Sequence, residues 1–468
     1  MSKIKFGTDG WRAIIGKDFT VENVARVTEA TANWLLKNFD NPSVVVGHDC
    51  RFAGELFAET TSKVLLAKGI KVFLAEGFVS TPMVSLGAVK LTASLGIILT
   101  ASHNPPSYNG FKLKGHYGGP LTPEKVQEVE DIIPEKCGIN LEEIDIATHK
   151  KNGTLVIVPL EDMYVEHVEN NFDLNAIRNS GINFAYDSMY GAGQKVMYRL
   201  FPDILHLHKD HNPGFHGQAP EPIHKNLLEF SNLIKNAGNI QCGLCTDGDA
   251  DRIGLYDSKG NFVDSHHIIL LLIHYLKKYK NFNGKVCTAF STTVKIKNIC
   301  NHYNLPLDIV KIGFKYIAGI MLEEDVLVGG EESGGIAIKG HIPERDGIWM
   351  GLTIWEFMAK SGKSLEDLIN EVYAITGKFW FERNDLQLSD SLKNQIVENC
   401  KVGKYHSFGK YKIIRTEDLD GFKFFFSEDS WLMIRASGTE PVLRIYAEAA
   451  DKETAFDMLE ETKKVILG

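Results

Sequence analysis

The sequence has no surplus of basic residues, which argues against one broad class of function. Its 51 lysines and arginines stand against 60 aspartates and glutamates, giving a formal net charge of -9. A general nucleic-acid binder normally presents a basic face, so we expect no nucleic-acid partner. This balance does not exclude anionic substrates, because local clusters of arginine and lysine occur in acidic proteins.

Long apolar runs are also missing. The densest, residues 268–273, contains six residues, whereas roughly 20 are needed to cross a bilayer. This run predicts a buried helix. Residues 1–10 contain lysines without a following apolar segment, so we expect neither a secretory signal nor membrane association.

The seven cysteines show no disulfide framework and no complete metal motif. They are odd in number and scattered along the chain, which is typical of reduced thiols in the cytoplasm. Only Cys242 and Cys245 are closely spaced, and a zinc site would need a second pair or nearby histidines. Their segment predicts a short buried strand with small core residues.

The length of 468 residues predicts three or four domains. Strand-like runs alternate with helical periods up to about residue 375, which predicts α/β domains. Beyond it, alternating apolar and polar residues and a final helix predict an α+β domain. We therefore expect three similar α/β domains with mixed sheets and a C-terminal α+β domain. The predicted domains are 1–155, 156–258, 259–375 and 376–468.

One pattern recurs three times: an apolar run that ends in polar or glycine-rich residues, followed downstream by another. The three pairs are 44–49 with 97–105, 184–188 with 242–252, and 286–293 with 326–335. Each pair predicts two strands of one α/β domain. Ligands of open α/β sheets bind outside the carboxyl ends of the strands, so we expect functional loops there.

The strongest local motif contains three aspartates at alternate positions, Asp247, Asp249 and Asp251. In a tight loop these carboxylates can converge on one hard cation, and oxygen ligands favour magnesium or calcium. An EF-hand would need a glutamate at its twelfth position, which is absent here. The alternative is a solvated acidic turn. The preceding apolar strand and the adjacent Arg252 favour the metal site.

A second loop, TASHNP, carries Ser102 after another apolar strand. The hydrolase elbow GxSxG is absent. An ordinary turn of serine, asparagine and proline remains an equal alternative from local sequence alone. A serine close to a magnesium loop suits phosphoryl transfer better than acyl transfer.

Two further loops have groups that suit anions and sugars. Arg435 is followed closely by Ser437, Gly438 and Thr439, and an arginine fork with hydroxyls and backbone N–H groups suits phosphate. The loop lacks the Walker A arrangement, so no nucleotide is implied. Residues 330–334 (GEESG) offer acceptors for sugar hydroxyls, with an acidic turn as the alternative.

Five motifs together resemble the α-D-phosphohexomutase family, which includes phosphoglucomutases, phosphomannomutases and phosphoglucosamine mutases. They are FGTDGWR (6–12), TASHNP (100–105), DGDADR (247–252), GEESGG (330–335) and RASGTEP (435–441). The resemblance covers nearly the whole chain. It implies four domains around a central cleft, with one essential loop from each.

The resemblance also implies a role for individual residues. Ser102 carries the phosphoryl group, and Asp247, Asp249 and Asp251 hold one Mg²⁺ together with an oxygen of the phosphoserine. The residues near the transferring group are Arg12, His103, Lys112 and Arg252, with Lys315 as general base. The substrate-binding residues are Glu331, Ser333, Arg345, Arg435, Ser437, Gly438 and Thr439. The implied substrate is a phosphosugar, and hexose 1,6-bisphosphate is the implied activator.

The same resemblance favours glucose as the hexose. Gly335 stands where many dual phosphomannomutase/phosphoglucomutase enzymes have histidine, and the runs 313–316 (GFKY) and 344–347 (ERDG) favour the phosphoglucomutase type. A phosphomannomutase, or an enzyme of broad range, stays open. Rival classes are a phosphatase or bisphosphate-forming kinase using the same serine, and a non-catalytic phosphosugar-binding protein. The sequence does not indicate an oligomeric state.

Overall fold

The computed structural model describes residues 4–7, 9–436 and 442–468. It divides into two compact units. The first combines residues up to 284 with 313–368, and the second combines 285–312 with 369–468. The segment predicted as a third domain therefore contributes residues to both units.

The described residues form strands and helices that we number in chain order. The strands are β1 (Trp11–Ile14), β2 (Ser43–His48), β3 (Lys71–Ala75), β4 (Leu95–Leu99), β5 (Tyr108–Gly115), β6 (Leu155–Val158), β7 (Phe184–Asp187), β8 (Leu205–Leu207), β9 (Cys242–Thr246), β10 (Ile253–Tyr256), β11 (Phe262–Val263), β12 (Lys285–Ala289), β13 (Leu307–Val310), β14 (Val326–Gly330), β15 (Ile336–Ile338), β16 (Trp380–Gln387), β17 (Ser407–Phe408), β18 (Tyr411–Lys412), β19 (Arg415–Glu417), β20 (Phe422–Ser427), β21 (Ser430–Ala436) and β22 (Val442–Ala449). The helices are α1 (Val21–Asn38), α2 (Gly54–Ala67), α3 (Thr81–Lys90), α4 (Pro123–Asp131), α5 (Ile146–Lys151), α6 (Leu160–Asn171), α7 (Leu174–Arg178), α8 (Gln194–Leu200), α9 (Leu228–Ala237), α10 (Ser265–His274), α11 (Lys295–Tyr303), α12 (Phe314–Glu323), α13 (Gly347–Ser361), α14 (Leu365–Thr376), α15 (Asp390–Lys401) and α16 (Lys452–Leu467).

The first sheet of the first unit has six strands in the order β1-β5-β4-β2-β3-β6. Strands β2 and β4 are parallel, whereas β5 runs antiparallel to both β4 and β1. Their apolar side chains, such as Val44, Val46, Ile97 and Leu99, are fully buried. The predicted pairing of 44–49 with the run that starts at 97 is confirmed, and both carboxyl ends lie at one edge of the sheet.

The second sheet of this unit has the order β11-β10-β9-β7-β8, and β9 pairs with β7 in parallel. This confirms the predicted pairing of 184–188 with 242–252. All residues of β9 are buried, including the free cysteines Cys242 and Cys245, which are core residues as predicted. The apolar run at 268–273 lies within the buried helix α10, again as predicted.

Local sequence accounts for where two helices of this unit begin. Helix α3 begins where the Ser80 side chain accepts a hydrogen bond from the N–H of Met83, with Pro82 in the first turn. Helix α13 begins where Asp346 accepts from the N–H of Trp349. Serine and aspartate are preferred at this position because they satisfy backbone donors that have no partner within the helix.

In the first unit, β14 and β15 form an antiparallel pair.

The second unit is built mainly on an antiparallel sheet in the order β16-β22-β21-β20-β19. Residues of α16 such as Met458 and Leu459 pack with Leu432 and Ile445 of this sheet. The antiparallel sheet and the closing helix confirm the predicted α+β character of this end of the chain. Among the helices of the described residues, none combines the length and apolar character needed to span a bilayer.

Candidate active site

Ser102 lies in the loop that follows β4, in contact with the loop that follows β9. Its hydroxyl donates to Oδ2 of Asp247 at 2.6 Å, and Oδ1 of Asp251 is 3.5 Å away. The side chain is buried and its backbone is left-handed, with φ of 53°. Such a φ is uncommon for a residue other than glycine and occurs where the surroundings hold the backbone in place. The two predicted loops thus meet at the serine.

The carboxylates of Asp247, Asp249 and Asp251 offer oxygens that all lie within 4.8 Å of one another, and all three residues are buried. Burial and the charges of Asp249 and Asp251 raise the pKa of Asp247 well above its usual value. Oδ1 of Asp249 is buried without a hydrogen-bond partner among the described residues. A hard divalent cation would neutralise these like charges and ligate this oxygen, so the donor set fits Mg²⁺ or Ca²⁺.

The conformation of the aspartate loop depends on two local features. Oδ1 of Asp247 accepts hydrogen bonds from the backbone N–H groups of Asp251 at 2.9 Å and Arg252 at 3.1 Å. At Gly248, a β-carbon would lie 2.6 Å from the carbonyl oxygen of Ser102. Only glycine lets the two loops approach this closely, because any side chain would displace the serine loop.

Lys112, on β5, lies beneath the aspartates. Its Nζ donates to Asp249 at 2.8 Å and to Asp251 at 3.0 Å, and forms an ion pair with Asp9 at 2.8 Å. Burial lowers the pKa of Lys112, but the carboxylates outweigh burial and raise it, so the amine is charged. In turn, burial raises the pKa of Asp249, and Lys112 is the main reason that it lies below its usual value. Lys112 therefore contacts the aspartates.

Arg345, which the resemblance implies as a substrate-binding residue, has its guanidinium against two carboxylates of the protein. It is 3% exposed, and its guanidinium donates to Asp251 at 2.6 Å and also to Asp9. Burial lowers the pKa of Arg345, but Asp251 and Asp9 raise it well above its usual value. The position follows from the chain path, because Arg345 directly precedes the capping residue of α13. Its described partners are carboxylates of the protein.

Three further predicted residues place positive or polar groups beside Ser102. Nδ1 of His103 is 3.4 Å from the Ser102 hydroxyl, and Arg12 donates to Oδ1 of Asn104 at 2.6 Å. Burial, followed by the charges of Arg252 and Arg12, lowers the pKa of His103 well below its usual value, so the imidazole is neutral. Within the described ranges, the Nε of Arg252 is buried without a hydrogen-bond partner.

Glu331 and Ser333 lie in the turn that follows β14. Glu331 is 5% exposed and accepts a hydrogen bond from the N–H of Gly313 at 2.8 Å. Burial is the main reason that its pKa rises to about 7. The turn contacts the metal loop directly, because Gly334 accepts from the N–H of Ile253 at 3.1 Å. Ser333 is half-buried in this turn.

Lys315 lies at the start of α12, half-buried, and lines a cavity of about 130 Å³ together with Asp9 and Glu130. Asp9 is thus shared between this cavity and the cluster around Lys112.

Arg435 belongs to the second unit, at the end of β21. Its Nε donates to Oδ1 of Asp420 at 3.1 Å, and its side chain is 19% exposed. The residues predicted to bind phosphate beside it, Ser437, Gly438 and Thr439, lie outside the described residues.

Sequence reasoning missed several residues that contact this site. Burial raises the pKa of Asp9, but Arg345 and Lys112 outweigh it and hold the pKa well below its usual value. Thr81 donates to Oδ2 of Asp249 at 2.5 Å. Arg51, just beyond β2, contacts the serine loop. Asp9 lies in the FGTDGWR motif (6–12), but the motif alone did not distinguish it from its neighbours. Arg51 comes just after the apolar run at 44–49, and Thr81 had no comparable signal.

Sequence models of the phosphoglucomutase/phosphomannomutase family match the chain in four stretches: α/β/α domains I, II and III over 3–137, 162–260 and 264–375, and the C-terminal domain over 393–465. The phosphoglucomutase/phosphomannomutase of Thermococcus kodakarensis is 30% identical, over 97% of this chain and 96% of its own. The chain belongs to the phosphoglucomutase/phosphomannomutase family. The phosphoglucosamine/phosphogalactosamine mutase of Sulfurisphaera tokodaii is 29% identical over 99% of each chain. A crystal structure described as a phosphomannomutase from Thermus thermophilus matches with a TM-score of 0.88 and 32% identity, over 100% of both chains.

Members of this family are phosphohexomutases, which are isomerases, and the chain is an enzyme of this class. The predicted succession of three α/β domains and a C-terminal domain is the architecture of the family. The relatives are named for glucose, mannose and amino-sugar phosphates, so their names leave the hexose open.

Proposed function

We propose that the enzyme interconverts hexose 1-phosphate and hexose 6-phosphate, with glucose as its preferred hexose, through a phosphoserine at Ser102. The observation that carries the proposal is the 2.6 Å contact between the Ser102 hydroxyl and Asp247 within a buried group of three aspartates. A serine oxygen among carboxylates is placed to share their cation. Phosphoryl transfer depends on such positioning and charge neutralisation more than on covalent assistance.

In the first half of the reaction, the bond between phosphorus and the Ser102 oxygen breaks as a bond from phosphorus to O6 of hexose 1-phosphate forms. The O6 hydroxyl gives its proton to Lys315, the proposed general base, and the proton returns through solvent to the Ser102 oxygen. The product is hexose 1,6-bisphosphate. In the second half, after the bisphosphate has turned over, the bond from phosphorus to O1 breaks as a bond from phosphorus to the Ser102 oxygen forms. The Ser102 hydroxyl gives up its proton and O1 takes one from solvent, which leaves hexose 6-phosphate and restores the phosphoserine.

The residues around Ser102 would act on charge. Asp247, Asp249 and Asp251 would hold Mg²⁺ with an oxygen of the phosphoserine, and the ion would withdraw charge from the transferring phosphoryl group. Arg12 and Arg252 add positive charge near the serine loop, and neutral His103 can donate a hydrogen bond. Lys112 and Arg345 act indirectly, by holding the aspartates.

The proposed sugar and phosphate contacts come from the two remaining loops. Glu331 and Ser333 would bind sugar hydroxyls, and Arg435, with Ser437, Gly438 and Thr439, would bind the phosphate that is not transferred. The preference for glucose draws support from Gly335. A β-carbon there would lie 2.5 Å from Cδ of Arg345, a side chain that Asp9 and Asp251 hold in place. The histidine of dual-specificity enzymes would therefore require Arg345 to move.

A second candidate substrate is an amino-sugar phosphate, because the Sulfurisphaera tokodaii relative is named a phosphoglucosamine/phosphogalactosamine mutase. Mannose 1-phosphate is a third, favoured by the names of the other relatives.

A mutase assay with Mg²⁺ and a trace of hexose 1,6-bisphosphate tests these alternatives. Glucose 1-phosphate, mannose 1-phosphate and glucosamine 1-phosphate are compared for the wild type and Ser102→Ala. We expect glucose to have the highest kcat/KM, and the variant to lose at least about 10⁴-fold because the nucleophile is gone. Ser62→Ala is the matched control, since Ser62 is buried in α2 and donates its hydroxyl hydrogen to the carbonyl of Ala58.

Each failure has a distinct meaning. Equal turnover by Ser102→Ala would contradict the phosphoserine, and release of inorganic phosphate above isomerisation would favour a phosphatase. A higher kcat/KM for glucosamine or mannose phosphate would replace glucose as the preferred hexose without affecting the mechanism.

A further inference from the structure

Arg51 contacts the backbone of the serine loop through both ends of its guanidinium. Nη1 donates to the carbonyl oxygens of Pro105 at 2.9 Å and Tyr108 at 3.0 Å. Nη2 donates to those of Ser102 at 2.5 Å and Asn104 at 2.7 Å. One buried side chain therefore binds four carbonyl groups of the loop that carries Ser102.

A second connection joins the same segment to the serine through Asp49. Thr100 donates its hydroxyl hydrogen to Oδ2 of Asp49 at 2.5 Å, and its oxygen accepts from the N–H of Ser102 at 2.9 Å. Oδ1 of Asp49 accepts from the N–H of Arg51 at 2.9 Å. We call this arrangement the Asp49–Arg51 clamp. It holds Ser102 by its N–H and by its carbonyl group.

The clamp acts on a backbone that is strained and closely packed. Ser102 has a φ of 53°, a strained conformation for a residue other than glycine, which persists only when its surroundings hold it. The carbonyl oxygen bound by Arg51 is also the atom that Gly248 of the metal loop faces. Its placement thus decides how closely the serine approaches Asp247.

Water is kept away from this guanidinium. The Phe215 ring covers it, with its centroid 5.0 Å from Cζ of Arg51, and the Arg51 side chain is fully buried at 0% exposure. A lysine at this position would keep the charge but lose the planar fork that reaches four acceptors. Binding all four carbonyl groups therefore requires the planar shape of arginine as well as its charge.

We propose that Arg51 is a positioning residue for phosphoryl transfer, which holds the Ser102 oxygen at the aspartates without contacting the reacting atoms. This inference rests on the proposed function of Ser102. A residue of this kind affects the chemical step, since misplacing a reacting group by about 1 Å costs about 10²-fold in rate. It leaves the sugar and phosphate contacts intact.

The test compares Arg51→Lys with Arg26→Lys in kcat, KM and thermal stability. Arg26 is also buried in the first unit and donates to a backbone carbonyl, but that carbonyl belongs to Pro134, at 2.7 Å, outside the serine loop. We expect Arg51→Lys to lower kcat per folded molecule by about 10²-fold, with KM within about 3-fold. Arg26→Lys should lower only thermal stability. Transfer of phosphoryl from labelled hexose 1,6-bisphosphate to Ser102 should slow by the same factor as kcat.

A second variant keeps the inference testable if Arg51→Lys fails to fold. Thr100→Val removes the hydroxyl that joins Asp49 to Ser102, with little change in volume, and should lower kcat about 10-fold. An unchanged kcat in either folded variant would overturn the positioning role, as would a loss in Arg26→Lys equal to that in Arg51→Lys. Failure of the phosphoserine itself would appear separately, as full activity of Ser102→Ala.

Discussion

Arg345 in the first unit and Arg435 in the second, both predicted to bind substrate, differ in how deeply their side chains are buried. In the first unit the Arg345 side chain is 4% exposed and donates to Asp251 and Asp9 within a cluster that also contains Lys112 and Asp249. In the second unit the Arg435 side chain is 19% exposed and its acidic partner, Asp420, is 23% exposed. The same residue type, predicted for the same role, thus occurs in two different electrostatic settings.

The energy needed to separate an ion pair depends on how deeply it is buried. Breaking a buried ion pair leaves an uncompensated charge in a medium of low polarity, at a cost of about 3–5 kcal/mol. Exposed pairs contribute only about 0–1 kcal/mol, because water screens them. The cluster around Asp251 is therefore organised before any ligand binds, whereas the half-buried pair of Arg435 and Asp420 should cost less to break.

The largest expected effect comes from breaking the buried side of this comparison. Lys112→Met should destabilise the protein by about 3–5 kcal/mol, because the buried Asp249 loses the lysine paired with it, and Asp9 and Asp251 each lose one of their cationic partners. Lys114→Met is the matched control. Lys114 is equally buried on β5 and pairs with Glu344 at 2.7 Å and with Asp9 at 3.6 Å, without an ion pair to Asp249 or Asp251. Denaturant unfolding should show a loss of stability in both.

Magnesium affinity separates these two variants. Only Lys112→Met should change it, since Lys112 is the one of these two lysines that contacts the aspartates, and calorimetric titration with Mg²⁺ checks this. Equal magnesium affinities in the two variants would contradict the view that Lys112 organises the metal loop.

A smaller effect, on substrate binding, is expected at the less deeply buried Arg435. Arg435→Lys should raise KM about 10- to 100-fold, because lysine lacks the bidentate fork, and should change kcat and stability little. Arg415→Lys, at another exposed arginine of the second unit, should change neither. Steady-state kinetics with the preferred hexose phosphate measures both. A loss confined to kcat would place Arg435 in the transfer step instead of in phosphate binding.

The smallest expected effect is on the way the free energy of unfolding depends on pH. Burial raises the pKa of Glu331 to about 7 from its ordinary value of 4.5. Between these values the folded state holds a proton that the unfolded state has released, so the free energy of unfolding falls as pH rises from 4.5 to 7. The slope from this group is at most about 1.4 kcal/mol per pH unit.

Glu331→Gln should remove that slope, and urea unfolding at about pH 5, 6 and 7 measures it. Glu448 of β22 is the matched control in the second unit, since burial raises its pKa to about 7 as well. If Glu331→Gln keeps the wild-type slope while Glu448→Gln loses it, the pH dependence belongs to the second unit alone.

Local sequence was sufficient for the elements and loops of this fold. The runs at 44–49 and 242–246 are buried strands, the 268–273 run is a buried helix, and α16 closes the chain. Ser102 and the three aspartates follow strands as their motifs predicted. Such features are recognisable because strand, turn and helix signals arise from residues that are neighbours in the chain.

The motifs along the chain were enough to identify the family and the order of its domains, and to predict which loops carry chemistry. Only the tertiary structure decided which charges share the interior: Arg345 with Asp9 and Asp251, and Arg51 with the serine loop. These partners are tens to hundreds of residues apart and meet because sheet order places their strands and helices side by side. Burial makes each of them depend on the other's charge, and no local pattern of residues records that dependence.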